Sequence, residues 1–351
     1  MVDYIVVGLG LAGISFCETL RKHRKTFLVF DDVSQQASQV AGGLYNPVIL
    51  KRFSPVWMAQ QQLEEALPFY AELETLLNVK LDHKLPVLRR FVSVEEQNLW
   101  FEATDKPGLS AFLSTKVLSN GNSLIDAPFG FGEVLHTGRI DTRTLYQAYR
   151  NFLVTEQILM EESFDCAQLS IIDNSVEYKG IAAKNLVFCN GFGLKTNPFF
   201  GYLPLNGTKG ELLRVKIEGL RLEAVLKSSV FLIPLGDDEY YLGATYEWHD
   251  KTNTVTKKAK EELLSKLATF LKSTPVVLAQ EAGIRPTVTD RRPLVGTHPL
   301  HNNIHLLNGL GSRGVMIAPF AAKRLYDSIE NGIAIPAEMN IQRFVAKYRP
   351  A

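Results

Sequence analysis

Cysteine is scarce: Cys17, Cys166 and Cys189 are the only three in 351 residues, odd in number and without a C-x-x-C spacing. Neither a disulfide framework nor a structural zinc site is expected from them, and small buried apolar roles suit them better. A dominant charge is also missing, since 38 Lys and Arg face 37 Asp and Glu for a formal net charge of +1. No global field draws the chain to nucleic acid or an anionic membrane, which disfavours those partners while leaving a local basic patch possible. No apolar run reaches the length of a membrane span. The opening Met1-Val2-Asp3-Tyr4 has neither the basic region nor the cleavage site of a secretory leader, so the cytoplasm is the expected compartment. His136, His249, His298, His301 and His305 share no helix face; they read as surface or loop residues, and no metal is expected. A Ser-His-Asp arrangement on a nucleophile elbow is absent too.

What is present has ordinary globular composition, 46% hydrophobic and 21% charged, at a length that suits two intergrown domains. Residues 4–8 form a short apolar run fit for a strand buried on both faces, a helix follows from Leu11 to Arg24, and Thr26 to Phe30 reads as a second buried strand. Strand, Gly-rich turn, helix and strand in that order make a βαβ unit. Helical patterns return at 55–77, after the N-cap candidate Asp141, at 256–272 and at 315–331. Strands are expected near 86–93, 132–136, 157–161, 185–189, 211–216, 229–234 and 239–245, with a hairpin across Asp173-Asn174. The fold class is therefore α/β. A Rossmann-like domain with a parallel sheet (1–50, 137–200 and 281–351) is expected to interleave with an α+β substrate domain on a mixed or antiparallel sheet (51–136 and 201–280).

The sharpest signal is Gly8-Leu9-Gly10-Leu11-Ala12-Gly13, lying after a strand and before a helix. Gly8 permits the tight turn, Gly10 lets the backbone approach a pyrophosphate, and Gly13 lets helix and strand pack closely. Free N–H groups and the positive end of the helix dipole then face the phosphates. Asp31 closes the second strand, where its carboxylate can accept from a ribose 2′-hydroxyl and would repel a 2′-phosphate. The fingerprint alone leaves FAD and NAD open.

Further landmarks run in order along the chain: Ala41-Gly42-Gly43-Leu44, Gly138-Arg139-Ile140-Asp141, Leu186-Val187-Phe188-Cys189-Asn190-Gly191, Gly243-Ala244-Thr245-Tyr246, Gly283-Ile284-Arg285-Pro286 with Asp290-Arg291-Arg292-Pro293, and Gly309-Leu310-Gly311-Ser312-Arg313-Gly314. With the fingerprint they resemble the D-amino-acid-oxidase-like superfamily of FAD enzymes, which includes glycine and sarcosine oxidases. Within it, Gly43-Leu44-Tyr45-Asn46-Pro47, Gly243-Ala244-Thr245-Tyr246 and the Gly-Leu-Gly-Ser-Arg-Gly stretch are most similar to the FAD oxidase half of the bifunctional tRNA 5-methylaminomethyl-2-thiouridine biosynthesis protein, although no methyltransferase half is present in this sequence.

The resemblance implies that FAD is gripped at Gly8, Gly10, Leu11, Ala12, Gly13, Asp31, Asp32, Gly42, Gly43, Leu44, Phe164, Asn190, Gly191, Arg285, Gly309, Gly311, Ser312, Arg313 and Gly314. The last glycine loop would aim N–H groups and a helix dipole at the O2 side of the flavin. Some relatives attach the flavin through Cys or His. With no Cys between 190 and 351 and no His near Gly42-Gly43, non-covalent FAD is expected. The implied catalytic residues are Arg285, Tyr246 and Arg313. Arg285 would hold a substrate carboxylate, Tyr246 would present its hydroxyl to the same group or to the flavin face, and Arg313 would neutralise flavin or substrate. A loop-bracing arginine, a buried core tyrosine and a surface salt bridge are the plain structural alternatives, as is a solvated pair for Lys51 and Arg52.

The activity implied is hydride transfer from the carbon beside an amine nitrogen to flavin N5, leaving an imine that water hydrolyses. Oxygen or another acceptor would reoxidise the flavin. Carboxymethylaminomethyl uridine in tRNA is the alternative substrate, a non-catalytic flavin sensor or scaffold the alternative class, and NAD as sole cofactor a weaker option that leaves the C-terminal glycine loop without a role.

Overall fold

A computed structural model describes residues 1–172 and 174–348 of the chain. The first sheet holds eight strands. Five of them run parallel side by side: Leu159–Met160, Phe27–Phe30, Val2–Val7, Ile181–Phe188 and Ile304–Asn308. Alternate side chains enter different cores. Tyr4, Val6, Val29, Val187 and Leu307 pack against helices, whereas Ile5, Val7, Phe30, Leu186 and Leu306 face an aromatic cluster with Phe188, Phe200 and Tyr178. Burial on both faces explains why these strands read as continuous apolar runs.

The helices Leu11–Lys22, Ala59–Leu77, Thr142–Thr155 and Gly314–Asn331 contribute to the first core. Asp141 caps the third of them as expected, its Oδ1 accepting from Thr144 N at 3.1 Å. Strands Leu169–Ile172 and Ser175–Tyr178 pair antiparallel on either side of the expected turn, in which Asp173 lies outside the described residues.

The second sheet, also of eight strands, runs in the order Val276–Arg285, Thr208–Lys216, Glu239–Gly243, Phe231–Gly236, Val225–Lys227, Val87–Arg90, Phe131–Val134 and Leu113–Leu118. It is mixed, because Val225–Lys227 meets Val87–Arg90 in parallel while the other neighbours are antiparallel. Leu263 and Leu267 of helix Lys257–Ala268 join Leu213, Leu226, Leu232 and Leu242 on one face. Ile233 belongs instead to the core shared with the first sheet, so the opposite face of this sheet looks toward the fingerprint domain. The α/β class with a parallel sheet joined to a mixed one is as the sequence led us to expect. Among the described residues, no helix is long and apolar enough to cross a membrane.

Two departures stand out. A helix at Val94–Thr104 was not anticipated; Ser93 caps it, its Oγ accepting from Glu96 N at 3.3 Å. The expectation of surface or loop histidines is corrected for His305, which is buried on a strand, while His298 lies in a loop as expected but is buried there. His305 sits on an inner strand between Thr297 Oγ1 (2.9 Å) and Asn185 Oδ1 (3.1 Å), and burial pushes it down to about 3, so it packs as a neutral ring. No cluster of potential metal ligands occurs among the described residues.

Candidate active site

The fingerprint turn is built by steric necessity. Gly8 has φ of +96°, and a Cβ on Gly13 would lie 2.0 Å from Gly8 O. Only glycine at both places lets helix Leu11–Lys22 start against the strand edge. Gly10 caps that helix with no side chain of its own. A residue the motif does not contain does this work: Ser38 Oγ accepts from Leu11 N at 3.0 Å, and a Cβ on Gly10 would stand 3.0 Å from that same oxygen. Ser38 therefore lies directly above the helix N-terminus, beside Gly10.

Asp31 does more than the sequence suggested. Its Oδ1 accepts from Leu9 N at 3.0 Å, and its Oδ2 from Tyr146 OH at 2.9 Å and Arg150 Nη1 at 2.8 Å. A carboxylate offers about four acceptor directions, so room for a ribose hydroxyl remains beside these three donors. Asp32 is exposed and accepts from Ser34 N and Ser163 Oγ. The Phe164 ring is committed to packing, stacked on Tyr178 with centroids 4.0 Å apart and edge-on to Phe30 and Phe188, which leaves its backbone as the part free to meet a cofactor.

Three segments converge at the end of strand Ile181–Phe188. Asn308 Nδ2 donates to Gly191 O at 2.9 Å, while Asn308 Oδ1 accepts from Gly309 N at 2.7 Å. Gly309 and Gly311 have φ of +75° and +58°, and a Cβ on Gly311 would meet nothing within 4 Å. Gly314 lies next to Leu11, bringing the N-termini of the first and last long helices together. Gly43, at φ +72°, passes so close to Ile140 that a Cβ would fall 1.9 Å from its carbonyl oxygen, and one on Gly42 would press on Ile233 at 2.9 Å. Leu44 pairs with Arg139 in a small antiparallel sheet beside it. Two buried polar atoms in this region, Asn190 Oδ1 and Gln39 Nε2, have no protein partner. A dinucleotide's hydroxyls and phosphate oxygens are the chemistry that such orphans and a helix N-terminus accept, and the residues present fit FAD.

On the second sheet, Arg285 lies flat across Gly210, where a Cβ would collide with the guanidinium at 2.0 Å. A glycine inside a strand signals such a close approach, and Gly210 was the clue that the sequence reading passed over. Arg285 Nη1 donates to Thr245 O at 3.2 Å, and its guanidinium stands 4.6 Å from the centroid of the Tyr246 ring. Burial lowers its pKa from the ordinary value, with the Tyr246 hydroxyl acting the other way and no carboxylate contributing. Tyr246 is 58% exposed, which disposes of the core-tyrosine alternative. Arg313 likewise carries no ion pair among the described residues, so the surface salt bridge is set aside. Lys51 and Arg52 are exposed, in keeping with solvated charges.

The loop that carries Tyr246 is anchored by a buried cation. Lys209, fully inaccessible, pairs with Asp250 Oδ2 at 2.5 Å and Glu211 Oε1 at 3.6 Å, and donates to Thr254 O. This bond holds the Asp250 carboxylate down at about 2 from the usual 3.8. A lowered acid contributes stability above its unfolded value and loses it as pH falls through the folded one, so the anchor persists until the pH drops from near 4 toward 2. Lys209→Met is expected to raise KM for the substrate while the protein keeps its flavin; steady-state kinetics and the flavin spectrum check both halves.

The profile of the DAO family, described as FAD dependent oxidoreductase, matches residues 3–328. The chain is 22% identical to glycine oxidase of Bacillus subtilis, over 94% of this chain and 93% of that protein. It is 26% identical over 176 residues to the tRNA 5-methylaminomethyl-2-thiouridine biosynthesis bifunctional protein of an Azoarcus species, a match to 44% of this chain but only 28% of that much longer protein. Its fold superposes on iminodiacetate oxidase from a Chelativorans species with a TM-score of 0.79 at 17% identity, covering 97% of this chain and 98% of the other.

Proposed function

The chain belongs to the DAO family of FAD-dependent oxidoreductases, and on that premise we propose that it oxidises the C–N bond of a small amine that carries a carboxylate, an amino acid or N-substituted amino acid. One observation carries the reading: the half-buried Arg285 guanidinium stands beside the exposed Tyr246 ring and has a carbonyl, but no carboxylate, for company. An unpaired half-buried cation is costly, and a ligand carboxylate accepting two parallel N–H bonds would relieve it. The similarities to glycine oxidase and iminodiacetate oxidase support the same substrate class.

FAD, when bound, supplies the two-electron acceptor for the carbon beside the nitrogen. The protein's part is positional. Gly8, Gly10, Gly13, Ser38 and Asp31 would hold the dinucleotide, and Gly42, Gly43 and the Gly309–Gly314 loop would bound the ring system with bare backbone. Arg285 would fix the carboxylate, and the Tyr246 loop would cover it against water. No protein base is needed if the amine enters neutral; oxygen or another acceptor completes the cycle. Anaerobic titration of the flavoprotein with glycine, sarcosine, D-amino acids and proline is expected to bleach the flavin with at least one of them. A flavin that none of these reduces, yet dithionite does, would overturn the reading.

A second reading, a carboxymethylaminomethyl uridine of tRNA as substrate, is favoured by Arg291 over Trp248 (6.0 Å) and Arg292 over Trp57 (5.2 Å), since arginine–aromatic pairs suit bases and phosphates. It requires tRNA affinity that falls steeply with salt, and salt-independent or absent binding would remove it.

A further inference from the structure

Arg285, Arg291, Arg292 and Arg313 lie on adjoining segments, and none of the four forms an ion pair with a carboxylate among the described residues. The turn bearing Arg291 and Arg292 is pressed onto the loop that ends in Arg313. Gly311 N donates to Pro286 O at 3.1 Å, and a Cβ on Gly309 would lie 2.6 Å from Val288 Cγ2 and 3.0 Å from Leu294 N. Arg291 holds a left-handed backbone, φ +60°, in this turn. The one acid of the turn, Asp290, is engaged elsewhere, its Oδ2 accepting from Arg343 Nε at 2.9 Å. Around Arg313, burial comes first in lowering its pKa, Arg291 and Arg292 add to it, and only the Tyr246 phenol opposes them. Arg285 stands over the Tyr246 ring and Arg291 over the Trp248 ring two residues on, so this one loop meets both the Arg285 guanidinium and the turn of Arg291.

We propose that Arg313, with Arg291 and Arg292, forms a second anion subsite at the mouth of the Arg285 pocket, so that the preferred substrate carries one anionic group beside the amine and another beyond it. The inference rests on the amino-acid reading above and sharpens it: a monoanion satisfies Arg285 and leaves three cations crowded together, whereas a dianion neutralises both ends. Like charges held close by the fold repel, and an incoming anion gains from all of them at once. The second group is a carboxylate, as on an N-carboxymethyl amino acid, or a phosphate, as on a nucleotide; both are oxyanions that a guanidinium fork accepts.

The test is a set of dissociation constants for the holoenzyme, read anaerobically from perturbation or bleaching of the flavin spectrum. Two matched pairs serve as probes: sarcosine with iminodiacetate, and 5-carboxymethylaminomethyluridine with its 5′-monophosphate. In the unaltered protein the dianion of at least one pair is expected to bind about tenfold or more tightly than its monoanion, the scale of one charge-assisted hydrogen bond. Arg313→Gln and, separately, Arg291→Gln should erase most of that ratio, and Arg313→Lys should retain part of it. Because each variant is judged by a ratio within flavin-loaded protein, a general loss of fold or cofactor does not imitate the effect. An effect confined to iminodiacetate assigns the subsite to a carboxylate; one confined to the nucleotide assigns it to a phosphate. Ratios that stay within twofold in every variant, or no preference for either dianion, overturn the subsite while leaving the amino-acid reading in place. A spectrum that none of the four ligands perturbs removes the parent reading, and the subsite with it.

Discussion

Exchanging Arg285 for methionine is expected to lower kcat/KM for the amino-acid substrate by roughly 30- to 5,000-fold, the equivalent of about 2–5 kcal/mol for truncating one partner of a buried charged pair. Most of the loss should fall on KM, because the guanidinium binds a group that does not itself react. The free enzyme should behave in the opposite sense. Arg285 lacks a carboxylate partner, is half-buried and has its pKa lowered by desolvation, so removing its charge relieves that cost, and the melting temperature should hold or rise. A structural arginine bracing a loop would give the reverse pattern, lower stability with near-normal kinetics. Methionine is suitable because it fills the space over Gly210 without charge. Steady-state kinetics and a thermal melt on the same preparation separate the two roles.

The second large effect is expected at the helix N-terminus. Gly10→Glu should yield a colourless protein. The new Cβ would lie 3.0 Å from Ser38 Oγ, and its carboxylate would share the space with a phosphate. Two unit charges about 4 Å apart at an effective dielectric near 20 repel by about 4 kcal/mol, roughly a thousandfold in affinity. An acidic side chain suits a helix N-terminus in the absence of ligand. The apoprotein should therefore remain folded, and circular dichroism should match that of flavin-stripped wild type. A Gly10→Glu protein that stays yellow would detach the fingerprint from FAD.

How far the sequence spoke depended on whether a signal was local. Gly8, Gly10 and Gly13 announce themselves because the constraint that needs them is a turn between adjacent elements. Gly13 must clear a carbonyl five residues away. Ser38, Tyr146 and Arg150 are invisible at that scale, since they reach Leu11 and Asp31 from 27, 115 and 119 residues away. Arg285 drew attention through its motif, but only strand pairing explains its pose. Gly210 sits two positions from Thr208, the residue opposite Arg285 on the neighbouring strand, and its missing side chain leaves the space in which the guanidinium lies. The helix Val94–Thr104 could have been found from Ser93 and Glu96, a capping-box spacing. Its apolar stripe is thin, with Trp100, Ala103 and Thr104 its buried residues, so periodicity alone did not reveal it. The buried His305 had no local marker at all, because a histidine looks the same on a strand whether that strand is central or peripheral.

The account turns on a cation that reads a carboxylate beside an amine. Its most direct test is the rate of anaerobic flavin reduction by whichever amino acid bleaches the protein, set against the rate with the uncharged amide of that same amino acid. The amine, the reacting C–H bond and the size are nearly unchanged between the two, and only the anionic group is lost. The account predicts that the amide reduces the flavin roughly a hundredfold less efficiently, as expected when a half-buried guanidinium loses its charged partner. Equal efficiency would mean that Arg285 does not read the substrate, and the proposed substrate class would fall with it.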